Sequence, residues 1–139
     1  AWASADGSSR PAGGQTLLVV EDRAPVRALV AGTLRAQGFV VLEAGDGPEA
    51  LRAAERHAGA IDALVTDVVM PGMDGVELAG ALRRARPGLP VLYLSAHPPE
   101  ALAQRGLRVD AGRLLAKPFT AEHLCGALRE VLGAATPNG

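Results

Sequence analysis

Residues 16–38, TLLVVEDRAPVRALVAGTLRAQG, predict a buried strand followed by a helix. The run 16–20 is short, continuous and apolar, which is typical of a strand that is covered on both faces. Pro25 suits the first turn of a helix, and Gly38 suits its end. Between them, apolar side chains recur at helical spacing, at Val26, Leu29, Val30 and Leu34.

The same alternation of strand and helix continues along the chain. Apolar runs predict further strands at 39–44, 63–67, 90–95 and 112–116. Helical patterns predict helices at 45–57, 76–85, 99–106 and along an apolar stripe from 121 to 132. Five strands that alternate with five helices indicate an α/β fold, in which helices cover both faces of a parallel sheet.

Size and composition restrict the class of protein. The 139 residues suit one domain, and 48% of them are apolar, which is enough for a substantial core. A net charge of −1 and an aromatic content of 3% argue against a nucleic-acid surface. Cys125 is the only cysteine, so we expect no internal disulfide, no zinc site and a reducing, cytoplasmic setting. No apolar run approaches the roughly 20 residues that span a membrane.

The two ends of the chain differ from the rest. Residues 1–14 are rich in Ala, Gly, Ser and Pro, and we interpret them as a flexible linker or a cloning remnant. They lack the charged and then apolar order of a signal peptide. We predict one domain over 15–135 and a short tail over 136–139.

Unusual polar residues stand at the ends of four predicted strands. Glu21 and Asp22 follow the first, Asp67 closes the third, Ser95 closes the fourth and Lys117 follows the fifth. Lys117 is also the only lysine among 14 basic residues. Carboxyl ends of parallel strands share one edge of the sheet, where ligands bind. The pattern therefore predicts three acids, a hydroxyl and an ammonium at that edge, with no contribution from the second strand.

These groups together suit phosphoryl chemistry. Three neighbouring carboxylates repel one another unless they share a cation, and an all-oxygen site suits Mg²⁺ or Mn²⁺. One carboxylate then stays free to attack phosphorus. Lys117 could pair with that carboxylate or with a phosphate oxygen, and Ser95 could donate to another oxygen. Singly, each of these residues is an ordinary turn, cap or surface residue, and only their common edge indicates a site.

Four segments carry a resemblance to a known family. LLVVEDRAPVR (17–27), LVTDVVMPGMDG (64–75), VLYLSA (91–96) and LLAKPF (114–119) are similar, in this order, to the signature segments of response-regulator receiver domains. The resemblance covers roughly residues 15–133. It implies the CheY-like, flavodoxin-like doubly wound (βα)5 fold, a five-stranded parallel sheet of order 2-1-3-4-5.

The resemblance also implies a role for each acid. Asp67 matches the phosphoacceptor and a metal ligand. Asp22 matches a direct Mg²⁺ ligand, and Glu21 matches an acid that acts through water. The backbone carbonyl of Val69 matches a third protein ligand of the metal.

The remaining site positions follow the family with one departure. Ser95 and Lys117 match the phosphate-binding switch residues, and the Lys117–Pro118 bond is expected to be cis. Leu114 occupies a position where an aromatic residue usually reports the switch, so we expect phosphorylation without that aromatic coupling. Similar domains place positions 69 and 97 near the phosphate. We expect an apolar Val69 to slow phosphoryl loss, and we expect His97 to point to solvent.

The resemblance implies a phosphoacceptor rather than an enzyme that turns over outside substrates. The expected partner is a histidine kinase or a histidine phosphotransfer domain, without nucleic-acid or membrane contact, in a monomer or weak dimer. The style of the flanking sequence favours the receiver of a hybrid histidine kinase.

Four other readings compete with this one. A stand-alone response regulator and a pseudo-receiver interaction module are the nearest. A haloacid-dehalogenase-like phosphatase would carry an acid where Val69 stands. A flavodoxin-like nucleotide or flavin binder would carry a glycine-rich phosphate loop, which the chain lacks.

Overall fold

A computed structural model describes residues 14–134, so the predicted tail and nearly all of the predicted linker lie outside it. Strands and helices alternate throughout this range. The strands are β1 Thr16–Val20, β2 Val40–Ala44, β3 Ala63–Asp67, β4 Val91–Ser95 and β5 Leu114–Ala116. The helices are α1 Ala24–Ala36, α2 Gly47–Arg56, α3 Gly75–Ala85, α4 Pro99–Gln104 and α5 Ala121–Ala134.

The five strands form one parallel sheet in the order β2-β1-β3-β4-β5. Successive residues of a strand point to opposite faces. Leu18 accordingly enters a core shared with α2, α3 and α4, whereas Leu17 enters a second core shared with α1 and α5. The predicted doubly wound fold and its strand order are confirmed.

Local signals set the beginnings of the helices that flank β3. Asp46 caps α2 by accepting a hydrogen bond from the backbone N–H of Glu49. Asp74 and Glu77 form a reciprocal capping box at the start of α3. Gly75 follows this cap because a Cβ there would collide with the carbonyl oxygen of Asp67. A glycine therefore lets α3 begin directly against the end of β3.

Several predicted elements are shorter in the structure, among them β5 and α4. Strand β5 begins at Leu114 rather than at 112, because a 3-10 turn occupies Ala111–Arg113. Asp110 stabilises that turn by accepting a hydrogen bond from the backbone N–H of Gly112. Helix α4 ends at Gln104, and Gly106 follows with a positive φ of 81° that suits a helix end.

One apolar residue of the α1 pattern lies on the surface. Leu29 is 69% exposed, while Val30, Ala31 and Leu34 are the buried residues of α1. A helix turns about 100° per residue, so Leu29 falls on the side opposite these three. Helical spacing alone therefore does not place Leu29 in the core, whereas Ala31 is buried.

Candidate functional site

The carboxyl edge of the sheet carries a cavity of about 250 Å³. Strands β1, β3, β4 and β5 all end at this edge, so residues distant in sequence meet there. The lining residues are Glu21, Asp22, Arg23, Asp67, Val69, Ala96, His97 and Lys117. The predicted convergence of three acids and one ammonium is therefore present in the structure.

Lys117 joins two of the acids. Its Nζ lies 2.7 Å from Oε2 of Glu21 and 3.1 Å from Oδ1 of Asp67. Both carboxylates are buried, with Glu21 1% and Asp67 8% exposed. Charge-assisted hydrogen bonds of this length are strong where water is excluded. The ammonium thus holds the ends of β1 and β3 together from the loop after β5.

The three acids form a group that suits a hard cation. One carboxylate oxygen from each of Glu21, Asp22 and Asp67 lies within 4.8 Å of the other two. Oxygens on opposite sides of a Mg²⁺ ion are roughly 4.2 Å apart, so these atoms lie close to the separation that one ion allows. Asp22 is exposed and lies at the mouth of the cavity. Three carboxylates against the two cationic side chains of Arg23 and Lys117 leave an excess of negative charge, which attracts a divalent ion.

Burial and charge act in opposite directions on this group. Burial raises the pKa of both Glu21 and Asp67, and it outweighs the attraction of the Lys117 ammonium, which lowers both values. Burial lowers the pKa of Lys117, but its hydrogen bond to Glu21 and the charge of Asp67 outweigh burial and raise that pKa. Lys117 therefore stays charged at neutral pH, while burial disfavours the ionised form of both carboxylates.

Ser95 lies at the predicted edge, but its hydroxyl is already engaged. Its Oγ donates to the carbonyl of His97 and accepts from the N–H of His97, both at 2.9 Å. The side chain is 1% exposed and does not line the cavity. Its hydroxyl must exchange these hydrogen bonds before it can donate to a phosphate oxygen.

The expected orientation of His97 toward solvent stays a prediction: its ring contact with Arg105 is exposed, and the residue also borders the cavity. His97 is half-buried and contributes to the lining of the cavity. Its Nε2 lies 3.5 Å from a guanidinium nitrogen of Arg105, just beyond the end of α4. Sequence patterns could not show this contact because it depends on how the loop after β4 folds around Ser95.

The remaining predicted positions surround the cavity. Val69 is half-buried and lines it, while the role of its carbonyl as a metal ligand stays a prediction. The Lys117–Pro118 peptide bond is cis. Leu114 pairs in register with Tyr93 of β4 and packs against the core on that face. The buried aromatic residue of this strand pair is therefore Tyr93 on β4, and β5 contributes the aliphatic Leu114.

Comparison with known proteins places these features in a family. The family model described as response regulator receiver domain matches residues 17–129. A response regulator receiver protein from Sinorhizobium medicae superposes with a TM-score of 0.75 at 31% identity, covering 88% of this chain and 98% of that one. The receiver domain of the hybrid histidine kinase CckA superposes with a TM-score of 0.68 at 38% identity, covering 84% and 98%.

Curated relatives are longer proteins. The sensor kinase CckA of Brucella abortus is 39% identical over 121 residues, which are 86% of this chain and 13% of CckA. The probable transcriptional regulatory protein TcrX of Mycobacterium tuberculosis is 39% identical over 127 residues, which are 88% of this chain and 53% of TcrX. The chain thus spans about half or less of these relatives.

Proposed function

This chain belongs to the response regulator receiver domain family, and on that premise we propose that Asp67 accepts a phosphoryl group from a phosphohistidine. In this step the N–P bond of the donor breaks and an O–P bond forms at the Asp67 carboxylate, which becomes an acyl phosphate. The observation that carries the proposal is the meeting of Glu21, Asp22, Asp67 and Lys117 in one cavity.

A divalent cation, Mg²⁺ or Mn²⁺, would supply charge neutralisation for the phosphoryl group. We assign Asp22 and Asp67 as direct ligands, Glu21 as a ligand through water, and Val69 as a ligand through its carbonyl. The chemistry of the donor set supports this, since clustered carboxylate oxygens are the ligands that hard cations prefer.

Lys117 has a separate role in the proposed transfer. Its ammonium lies 3.1 Å from Oδ1 of Asp67 and is positioned to pair with an oxygen of the incoming phosphoryl group. Its raised pKa keeps it charged for this purpose. Ser95 supplies a second donor once its hydroxyl leaves the backbone of His97.

Incubation with acetyl phosphate and Mg²⁺, followed by intact mass measurement, tests the proposal. The wild-type protein should gain one phosphoryl group, and EDTA should prevent the gain. Asp67→Asn should gain none, whereas Glu130→Gln, which changes an exposed acid on α5, should behave as wild type. Phosphorylation of Asp67→Asn at the wild-type level would contradict the assignment of the acceptor.

The side chain of Val69 bears on the lifetime of the acyl phosphate on Asp67. An apolar side chain at the cavity wall leaves water without a hydrogen-bond partner there, so we infer that Val69 slows hydrolysis of the acyl phosphate. Val69→Asn should shorten the half-life of the phosphorylated protein in a mass time course. An unchanged half-life would remove this idea.

We further infer that the chain acts as the receiver of a hybrid histidine kinase. Its similarity to the receiver part of CckA supports this, whereas TcrX and similar regulators support a stand-alone or DNA-linked response regulator. The sequence of the complete gene distinguishes these readings directly. A kinase core encoded before this domain would support the first, and its absence would refute it.

A further inference from the structure

Arg27 of α1 reaches back to the strand end that carries the acids. Its Nη1 donates to the backbone carbonyl of Glu21 at 2.8 Å. Its Nε lies 3.5 Å from Oε1 of Glu43, and the side chain is 24% exposed. A guanidinium is planar and presents several donors in fixed directions. Arg27 therefore connects the carboxyl end of β1 to the neighbouring edge strand β2.

Glu43 gives β2 a part in this arrangement, although the sequence pattern indicated none. Its second oxygen, Oε2, lies 2.8 Å from Nη1 of Arg35. Arg35 in turn donates to the carbonyl of Val41 at 2.9 Å. The Glu43 carboxylate is thus shared by two arginines of α1, of which only Arg27 reaches Glu21.

Every polar group of Glu21 has a partner. Its N–H donates to the carbonyl of Ala44, and its carbonyl accepts from Arg27. Its carboxylate accepts from the N–H of Arg23 through Oε1 and from Lys117 through Oε2. The hydrogen bond from Arg27 differs from the others because it holds the carbonyl of the Glu21–Asp22 peptide.

That peptide unit determines where Asp22 lies. The carbonyl of Glu21 and the nitrogen of Asp22 belong to one plane, so a fixed carbonyl fixes the beginning of Asp22. Asp22 itself is exposed and lines the cavity beside Glu21 and Asp67. Space around Arg27 is tight as well, since a Cβ at Gly45 would lie 3.1 Å from its Nη1.

We propose that Arg27 is a positioning residue for the cation site. It fixes the Glu21–Asp22 peptide so that both carboxylates face Asp67, and Glu43 orients its guanidinium. This inference rests on the proposed function, because it concerns the affinity of the same acidic site for a divalent ion. Residues that orient metal ligands without touching the metal typically change affinity by roughly 10–100-fold when they are replaced.

Titration calorimetry with Mg²⁺ alone tests the proposal on the full chain. Arg27→Ala should bind Mg²⁺ about 10-fold more weakly than wild type. Arg35→Ala is the matched control, since it removes the other arginine on Glu43 without touching Glu21, and its Mg²⁺ affinity should equal that of wild type. Arg27→Lys keeps a donor within reach of the Glu21 carbonyl and should recover part of the affinity.

The outcomes separate this inference from the proposed function. Equal Mg²⁺ affinities of Arg27→Ala and Arg35→Ala would overturn the inference while leaving the proposed function intact. No Mg²⁺ binding by the wild-type protein would overturn the proposed function and this inference with it. If Arg27→Ala does not fold, Arg27→Met, which removes the donor and keeps an unbranched side chain, decides: weaker binding than wild type at equal thermal stability supports the positioning role, and unchanged binding refutes it.

Discussion

The acidic pocket and the segment that follows β4 are built in opposite ways. In the pocket, Lys117 bonds two buried carboxylates that come from strands far apart in sequence. In the segment from Ser95 to β5, the helix α4 has six residues, the strand β5 has three, and the side chain of Ala96 is exposed. Short elements with little buried surface open at low free energy, whereas a bonded charge cluster resists change.

This contrast indicates where phosphorylation could be converted into a conformational change. In the pocket, the three carboxylates and the Lys117 ammonium already lie within one cavity. The start of the segment after β4 is held to the end of that strand by Ser95, whose hydroxyl bonds the backbone of His97. A phosphoryl group that attracts this hydroxyl would release the loop and shift the population of the segment.

Removal of a metal ligand should give the largest effect. Asp22→Asn removes a charge that we assign to direct coordination, so Mg²⁺ affinity should fall by more than the roughly 10–100-fold typical of outer residues. Calorimetry with Mg²⁺ measures this, with Glu130→Gln as the control. An affinity near that of wild type would mean that the pocket is not organised around Asp22.

The pH dependence of the metal-free pocket should come next. The folded-state pKa of Asp67 is raised, so the stability that its protonated form contributes is present at low pH and lost as pH rises through that pKa. Asp67→Asn lacks this loss and should gain stability relative to wild type as pH rises above about 4. Urea denaturation in EDTA over a pH series measures the difference. A difference that is independent of pH would contradict the argument.

The link between the two regions should show a moderate effect. Ser95→Ala removes both hydrogen bonds to His97, which should cost roughly 1–3 kcal/mol of unfolding free energy. The Mg²⁺ affinity should stay at the wild-type level, because Ser95 does not line the cavity. Ser95→Thr keeps a hydroxyl and serves as the control in urea denaturation. A loss of Mg²⁺ binding in Ser95→Ala would show that the two regions are not separable.

The smallest effect is expected at the far end of the segment. Arg105 is exposed, and its contact with Nε2 of His97 is long at 3.5 Å. Arg105→Ala should therefore change the unfolding free energy by less than about 0.5 kcal/mol. Thermal unfolding measures this, and a larger loss would mean that His97 and α4 are more firmly joined than their geometry indicates.

The part of the molecule that depends on local pattern was predictable. Apolar runs located β1, β3 and β4 nearly to the residue, because a strand covered on both faces has no polar interruption. The meeting of Asp67 and Lys117 was predictable for a related reason, since parallel strands end at a common edge.

Within residues 14–134, the structure has no helix that is both long and apolar enough to cross a membrane.

The departures from the sequence pattern share a different cause. The exposure of Leu29 depends on which face of α1 meets the sheet, and that face is chosen by the neighbouring elements. The short β5 depends on the hydrogen bonds of Asp110 in the preceding turn. Neither of these contacts leaves a periodic trace in the sequence.

The five strand-helix units, their order along the chain and the polar residues at the strand ends follow from the amino-acid sequence alone. Those features arise from the chemistry of neighbouring residues and from the period of each element. The hydrogen bonds from Arg27 to the carbonyl of Glu21 and from Ser95 to the carbonyl of His97 arise only in the folded chain. A donor and an acceptor find one another through the packing of separate elements, and that packing is a property of the folded chain as a whole.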